Sequence, residues 1–345
     1  MIDPKTYFLQ NVDPTSDQSG QLPFVLQKVH TPADLMNRVH QDKLAASVID
    51  YQLSHGATMI IAPYVHIERA DTVWTEVQIG LWQATRRCLD WQQLHVPVLA
   101  VGALGWRQLD RATWPGTLQV LMATLIHELH PGEVALAAST VDDGVRPAER
   151  LSSLIAVVHH LGQHWSVIMW QQGVLGEAAV AAGAAGYECG IGWRERCDLG
   201  TRMRAHDDTP VPGPRNARPV YITALKRSLL KRSIELLQQD PRIIAQLICL
   251  DPTCCPNGRR TLLEDARAHA IAARRRGLTV LTRPTHAAWR WNQLALDVTA
   301  GLQLAERINI LAGQTQGLSR VNTRALVATL ALANHRRQTL GRRAA

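Results

Sequence analysis

Glu133-Val-Ala-Leu-Ala-Ala-Ser-Thr140 is a short apolar run, and a helical pattern over Ala148–His160 separates it from a second run, Ser166-Val-Ile-Met-Trp-Gln-Gln-Gly173. Each run is apolar almost throughout, as strands are when both faces of their sheet are covered. The pattern between the runs is long enough for the crossover helix that two parallel strands require. This stretch therefore predicts a βαβ unit with parallel strands.

The same alternation continues on both sides of this unit. Runs that fit strands occur at Met59–Ile67, Val96–Leu104, Glu133–Thr140, Ser166–Gly173, Gly186–Gly192, Val220–Thr223, Ala245–Leu250 and Leu278–Thr282. Eight strands alternating with helices predict an α/β fold of the (β/α)₈ type, a TIM-like barrel. A doubly wound sheet is the alternative, but the Gly-x-Gly-x-x-Gly pattern expected after its first strand does not occur there.

Three cysteines and one histidine gather near the end of the predicted barrel. Cys249, Cys254, Cys255 and His269 fall within 21 residues. Three thiols and an imidazole form a complete tetrahedral ligand set for Zn²⁺, and a set without an open position is typical of a structural zinc site. Nearby prolines, an asparagine and a glycine supply the sharp turns that adjacent cysteines need in order to share one metal ion. The alternative is a group of buried cysteines beside an ordinary helical histidine.

The barrel prediction divides the chain into three parts. Residues 57–284 form the barrel, with the zinc site near its end. Residues 1–56 are an N-terminal extension, in which Phe24–Lys28 fits a strand and Ala33–His55 fits a helix. Residues 285–345 are a C-terminal helical region, with helices expected at about Ala287–Leu311 and Arg320–Leu340.

Composition and charge limit the function classes. The sequence has no run of about 18 apolar residues and no secretory signal, so we expect a cytoplasmic protein without a membrane segment. The six cysteines lack a regular spacing and are expected to be reduced thiols. A net charge of +8 favours a polyanionic partner, of which nucleic acid (tRNA or DNA) is the commonest; solvated helix faces are the alternative. The residues expected to contact phosphates are Lys226, Arg227, Lys231, Arg232, Arg274, Arg275 and Arg276.

Polar residues and glycines mark the carboxyl ends of the predicted strands, where a barrel of this kind carries its chemistry. These residues are Gln171, Gln172, Gly173, Glu188, Gly190, Gly192 and Asp251, with His66, Glu68, Ser139 and Thr140 at the ends of other strands. Asp251 directly follows the predicted strand Ala245–Leu250, which makes it a candidate catalytic carboxylate. The alternative interpretation is that Asp251, which precedes a proline, begins an Asx turn.

Four segments in a fixed order resemble the motifs of one enzyme family. Val167-Ile-Met-Trp-Gln-Gln-Gly173 is similar to a strand ending in Gln-Gly-Gly, and Gly186-Tyr-Glu-Cys-Gly-Ile-Gly192 to a Gly-Tyr-x-Ile-Gly-Gly-Leu strand. Arg218-Pro-Val-Tyr-Ile222 is similar to a Pro-Arg-Tyr-Leu strand, and Ile248-Cys-Leu-Asp251 lies where a nucleophile is expected. Together they resemble the tRNA-guanine transglycosylase family, zinc-containing barrels that exchange guanine in nucleic acid for a 7-deazaguanine.

The resemblance implies a base-exchanging transglycosylase that acts on nucleic acid or on a nucleoside. Asp251 would be its nucleophile, and Glu188 would take the acid/base role. A guanine-like base would be held by Gln171, Gln172, Gly173, Gly190 and Gly192. The Zn²⁺ bound by the cysteines and the histidine would be structural.

Two other function classes remain open. The family's Asp-Ser-Gly-Gly-Phe-Gln segment, which carries its acid/base aspartate, has no counterpart here, and Val101-Gly-Ala-Leu-Gly-Trp106 is nearest in place. Its absence favours a non-catalytic, zinc-containing nucleic-acid-binding barrel of the same fold. A zinc hydrolase would need an open metal site with His-x-His or carboxylate ligands, which the sequence does not show.

Overall fold

The computed structural model describes residues 1–10, 22, 30–69, 72–110, 114–192, 195–204 and 219–344. The strands are β1 (Ile60–Ile61), β2 (His66–Ile67), β3 (Val98–Gly105), β4 (Glu133–Ser139), β5 (Ser166–Met169), β6 (Gly186–Tyr187), β7 (Val220–Ile222) and β8 (Arg227–Leu229). The α-helices are α1 (Pro32–Met36), α2 (Arg38–Ser54), α3 (Val73–Trp91), α4 (Trp114–Thr124), α5 (Pro147–Leu161), α6 (Val174–Ala182), α7 (Leu199–Arg204), α8 (Lys231–Leu236), α9 (Pro241–Leu247), α10 (Arg259–Glu264), α11 (Ala266–Thr282), α12 (Ala287–Ala312) and α13 (Arg324–Ala344).

The chain divides into two units. The first unit comprises Met1–Val141, Ala156–Trp170 and Cys197–Val211. The second unit comprises Asp142–Ile155, Gln171–Arg196 and Pro212–Ala345. Each is built from strands and helices, so the α/β class is confirmed.

The first unit contains a parallel sheet. Strands β1 and β2 both pair with β3, β3 pairs with β4, and β4 pairs with β5, all in parallel. The register runs from Leu99 opposite Glu133 to Gly105 opposite Ser139. Strand β3 is buried along its whole length and consists of small and branched apolar residues. This composition is expected for a strand in a sheet that is covered on both faces. The parallel βαβ arrangement predicted from the sequence is therefore confirmed.

A glutamine side chain completes the hydrogen bonding of the short strand β1. The Gln52 side-chain nitrogen donates to the Ile61 carbonyl at 2.9 Å, and the Ile61 amide donates to the Gln52 side-chain oxygen at 2.8 Å. Gln52 lies near the end of α2 and is fully buried. Its amide takes the place of a neighbouring strand and satisfies backbone groups that burial would otherwise leave unpaired.

The predicted closed barrel is not confirmed, because the strands of the described residues do not form a closed ring. The strand prediction for Ala245–Leu250 was wrong: Ala245 and Leu247 belong to helix α9. Leu278–Thr282, also predicted as a strand, is the last part of α11. The prediction for Phe24–Lys28 falls outside the described residues.

Capping chemistry explains why α9 is a helix. The Asp240 side chain accepts hydrogen bonds from the backbone amides of Arg242 and Ile243, at 2.8 and 3.2 Å. Pro241 occupies the first helical position, where its fixed backbone angle favours the helix and no amide is needed. A cap and an early proline outweigh the strand propensity of the isoleucines that follow.

The second unit packs its core between a hairpin and its helices. Strands β7 and β8 are antiparallel, and the buried side chains of Val220 and Ile222 pack with those of Leu304 and Ile308 on α12. The two predicted C-terminal helices are confirmed as α12 and α13.

Across the described residues, none of the helices combines the length and the apolar character needed to cross a bilayer.

Candidate metal centre

The three cysteines lie on the segment between α9 and α10, which Asp251 folds into a turn. The Asp251 carboxylate accepts hydrogen bonds from the Thr253 amide at 2.8 Å, the Thr253 hydroxyl at 2.6 Å and the Cys254 amide at 3.3 Å. The Cys255 amide donates to the Asp251 carbonyl at 2.8 Å. Gly258 ends the turn with a φ of +54°, a conformation that favours glycine. These bonds place two adjacent cysteines on one side of the segment.

The ligand atoms of all four predicted residues converge. One atom each from Cys249, Cys254, Cys255 and His269 lies within 4.8 Å of the others. His269 Nδ1 is 3.3 Å from Cys254 Sγ and 3.4 Å from Cys255 Sγ, and the two sulfurs are 3.9 Å apart. Tetrahedral zinc, with bonds of about 2.3 Å to sulfur and 2.0 Å to nitrogen, separates two sulfurs by about 3.8 Å and sulfur from nitrogen by about 3.5 Å. The observed distances match that geometry.

His269 presents the correct nitrogen to this site. Its Nε2 lies 2.9 Å from the Tyr221 carbonyl oxygen, which can only accept a hydrogen bond. Nε2 therefore carries the proton, and Nδ1 directs its lone pair at the sulfurs. Burial lowers the pKa of His269, although the bond to Tyr221 opposes this, so the ring stays neutral as a metal ligand must. A fixed outer hydrogen bond of this kind is usual for metal-binding histidines.

The thiols need a cation in order to ionise together. Burial and the neighbouring Cys249 and Cys254 thiols raise the pKa of Cys255 to about 12, and burial also raises the pKa of Cys254. A bound dication removes this penalty, because its charge stabilises the thiolates. Arg276 gives smaller support, with its guanidinium 3.8 Å from Cys249 Sγ. The donor set and its geometry therefore fit Zn²⁺.

Asp251 has a different place from the one predicted. It does not end a strand, since the element before it is helix α9, and its carboxylate binds the turn of the cysteine segment. The same carboxylate forms an ion pair with Arg276, which in turn lies beside Cys249. The strand-end argument for a catalytic Asp251 therefore fails, and the Asx-turn alternative describes the residue.

The residues predicted to hold a base lie in the second unit, and several of them are in contact. The backbone amide of Gln171 donates to the Glu188 carboxylate at 3.0 Å, and the backbone amide of Gln172 donates to the Glu188 carbonyl at 2.8 Å. A side chain at Gly173 would lie 2.8 Å from the Glu195 carbonyl oxygen, so glycine is required there. Gly190 and Gly192 continue the segment after Glu188, and Gly192 has a φ of +81°. The structure thus joins both glutamines to the predicted acid.

A cavity of about 110 Å³ in the second unit adjoins two of these residues, Gln172 and Gly173. Charged side chains of Glu195, Lys226 and Arg227 also line it. The sequence did not predict that one of these lining residues, Lys226, belongs to a buried group of ion pairs. Lys226 is buried, and its Nζ lies 3.2 Å from Glu177 and 3.2 Å from Asp297.

One signal could have pointed to this buried charge. Glu177 stands in Val174–Ala182, which is otherwise apolar, and a carboxylate on such a helix needs a cationic partner. The sequence offered no means of naming that partner. Lys226 lies 49 positions further along the chain.

The cations predicted to contact phosphates are partly used inside the protein. Lys226 binds two carboxylates, Arg274 pairs with Glu195 and stacks on Tyr221 at 4.1 Å, and Arg276 pairs with Asp251. These three side chains are therefore not available for phosphates without breaking internal ion pairs. Nucleic-acid binding therefore remains a prediction from the net charge, the basic residues of the sequence and the family resemblance.

The likeness to transglycosylases rests on the short motifs quoted above and remains a prediction. Comparison with protein-family models, with curated proteins and with solved structures finds no match to this chain.

Proposed function

We propose that this chain is a zinc protein in which Cys249, Cys254, Cys255 and His269 bind one structural Zn²⁺. The observation that carries the proposal is the convergence of three sulfurs and one imidazole nitrogen within 4.8 Å, with His269 Nδ1 and the Cys254 and Cys255 sulfurs at the spacing of a zinc tetrahedron. Thiolates together with a single imidazole favour Zn²⁺ over hard cations such as Mg²⁺, which prefer oxygen ligands.

A structural role follows from the number and setting of the ligands. The four protein groups leave no position for water or substrate, whereas catalytic zinc keeps one position open. The ion would join the segment after α9 to helix α11, and through the His269 hydrogen bond to Tyr221 on β7. Cys255 is buried in the core of the second unit, with Cys249 and Cys254 packed against it. Metal binding would therefore contribute to the folding of this unit.

Metal analysis tests the proposal directly. Protein purified without chelators is expected to contain about one zinc per chain, because all four ligands are preorganised. Co²⁺ substituted for zinc is expected to give the absorption bands of tetrahedral thiolate coordination. The Cys88→Ser variant is the matched control, since Cys88 is a free thiol on α3 outside the cluster. Full zinc content in both Cys254→Ser and Cys255→Ser would refute the site.

For the activity of the protein, we favour the non-catalytic, zinc-containing binding class over base exchange. The Asp251 carboxylate accepts three hydrogen bonds within the cysteine segment and forms an ion pair with Arg276 on α11, an arrangement that stabilises the turn and would restrain a nucleophile. One observation supports base exchange as the second candidate. Gln171, Gln172 and Glu188 are held together, as a base-binding site with an acid would require.

Replacing Asp251 by asparagine separates these two classes. In the binding class, Asp251→Asn is expected to lower the free energy of unfolding by about 1–3 kcal/mol, because it weakens hydrogen bonds to a charged group and removes the ion pair with Arg276. Urea denaturation of the zinc-loaded protein measures this change. Glu264→Gln is the control, since it breaks an exposed pair with Arg260 and is expected to change stability by less than about 0.5 kcal/mol. Wild-type protein that incorporates labelled guanine into tRNA or DNA, together with a stable but inactive Asp251→Asn variant, would establish base exchange instead.

A further inference from the structure

A cavity of about 250 Å³ lies in the first unit, at the carboxyl edge of its parallel sheet. It is lined by His66, Glu68, Trp106, Arg107, Ser139, Thr140, Asp198, Gly200 and Met203. His66 belongs to β2, Trp106 follows β3, and Ser139 ends β4. Ligands of open α/β sheets bind at this edge, outside the carboxyl ends of the strands. No zinc ligand lines the cavity, so its role is independent of the proposed metal site.

The end of β3 is shaped to admit a carboxylate. A side chain at Gly105 would lie 2.8 Å from the Glu68 Cα and would overlap the Glu68 carboxyl group. Gly105 is therefore required for Glu68 to lie across the strand end. In the sheet register Gly105 stands opposite Ser139, whose buried hydroxyl accepts a hydrogen bond from the Leu199 amide at 3.1 Å. Strands β2 and β4, which both pair with β3, thus bring the Glu68 carboxylate and the Ser139 hydroxyl to the same edge.

An imidazole is held beside this carboxylate. The backbone of His66 is fixed by the Gln10 side chain, which donates to the His66 carbonyl at 2.9 Å and accepts from its amide at 2.5 Å. The buried ring places Nε2 3.8 Å from the Glu68 carboxylate. Glu68 also pairs with Arg107, whose guanidinium stacks on Trp106 at 4.5 Å. These contacts preorganise the wall before any ligand arrives.

Thr140 supports a functional interpretation of this edge. Its φ is +55°, a left-handed conformation that is rare for a β-branched residue. Its amide donates to the Cys197 carbonyl at 3.0 Å, which holds the backbone in place. Such conformations cost about 1–3 kcal/mol each and cluster at binding and active sites. Here the strained residue lies on the cavity wall.

The charges and hydrogen-bonding groups of the wall indicate the kind of ligand. Glu68 and Asp198 carry two negative charges against the single positive charge of Arg107, so phosphates and carboxylates are disfavoured. The same wall carries the hydroxyls of Ser139 and Thr140 and the guanidinium of Arg107 as donors, and this mixture of acceptors and donors matches hydroxyl groups, which donate and accept. We propose that this cavity binds a neutral polyol the size of a monosaccharide, held by Glu68, Asp198 and His66.

Binding of simple sugars tests the proposal. Isothermal titration of the zinc-loaded protein with D-glucose and with D-ribose is expected to show one site for at least one of them. Glucose 6-phosphate is expected to bind at least about tenfold more weakly than glucose, because it brings an anion to a negatively charged cavity. Glu68→Gln and Asp198→Asn are each expected to weaken binding at least about tenfold, since a charged acceptor is lost.

Controls keep the result unambiguous. Glu149→Gln removes an exposed glutamate that pairs with Arg146 outside the cavity, and it is expected to bind sugar as the wild type does. Circular dichroism shows whether each variant is folded. If Glu68→Gln does not fold, the binding measurement on Asp198→Asn decides the test. The proposal is overturned if neither sugar binds at about 10 mM, if glucose 6-phosphate binds as tightly as glucose, or if the folded cavity variants bind as well as Glu149→Gln.

Discussion

Cys254→Ser is expected to lose the metal ion and to melt about 10 °C or more below the wild type. The serine oxygen is a poor zinc ligand. Loss of the Cys254 sulfur therefore leaves an incomplete site beside the buried thiol of Cys255. Structural zinc contributes about 10–16 kcal/mol of apparent binding free energy in small zinc domains. A loss of only about 4 kcal/mol would shift the melting temperature by about 10 °C in a domain of 150–250 residues. Differential scanning calorimetry with parallel metal analysis measures both effects.

Chelation and a second cysteine variant show whether the metal causes the change. Treating the wild type with a strong chelator is expected to reproduce the lower melting temperature, whereas Cys254→Ser should not respond to the chelator. Cys88→Ser is expected to keep both its zinc and its melting temperature, since Cys88 lies on α3 and is not a member of the ligand cluster. A Cys254→Ser variant with normal zinc and a normal melting temperature would show that Cys254 is not a ligand.

The cluster of candidate metal ligands could be predicted because its determinants are local. Its four ligands fall within 21 residues, and both their chemistry and the turn-forming residues between them are visible in the sequence. The parallel strands of the first unit were predictable for the same reason, since buried parallel strands are apolar along their whole length. In both cases neighbouring residues supply the signal.

The helix that replaces a predicted barrel strand, and with it the position of Asp251, could not be predicted in this way. Ala245–Leu250 is a short apolar run whose periodicity fits a strand or a buried helix equally well. The Asp240–Pro241 cap decides between them in favour of the helix. Once that strand is removed, Asp251 no longer stands at a strand end, so one local error removes the positional argument for a catalytic Asp251. Its interactions with Thr253 and Arg276 depend on the folded turn.

Lys226 shows a second kind of limit. A run of basic residues predicts a surface for phosphates, but Lys226 turns inward to carboxylates 49 positions before it and 71 positions after it. The backbone of Lys226 adopts the left-handed conformation, with a φ of +55°, whereas the other residues of the basic run do not. Pairings over such distances in sequence follow from packing, which a single sequence does not reveal.

Lys226→Met is expected to lower the free energy of unfolding of the second unit by about 3–5 kcal/mol. Glu177 is only 4% exposed, and the Lys226 ammonium lies 3.2 Å from its carboxylate. The substitution removes this cation and leaves the negative charge of Glu177 buried without a partner at that position. Urea denaturation measures the change. Lys231→Met, at the half-buried start of α8, is the matched control and is expected to change stability by less than about 1 kcal/mol. A loss of less than about 1 kcal/mol in Lys226→Met would contradict the assigned ion pairs.

A double variant and the pH dependence identify the origin of this loss. Adding Glu177→Gln to Lys226→Met is expected to recover part of the stability, because it removes the charge that the first substitution left unpaired. Burial lowers the pKa of Lys226, but its ion pairs with Glu177 and Asp297 outweigh burial, so the folded pKa is raised. A raised pKa means that the stabilisation is complete below the unfolded lysine value of about 10.4 and is lost as pH rises through the folded pKa. As pH rises from neutrality, the stability gap between wild type and Lys226→Met should therefore narrow only in strong alkali. A gap that already narrows as pH rises from 6 to 9 would assign the loss to another group.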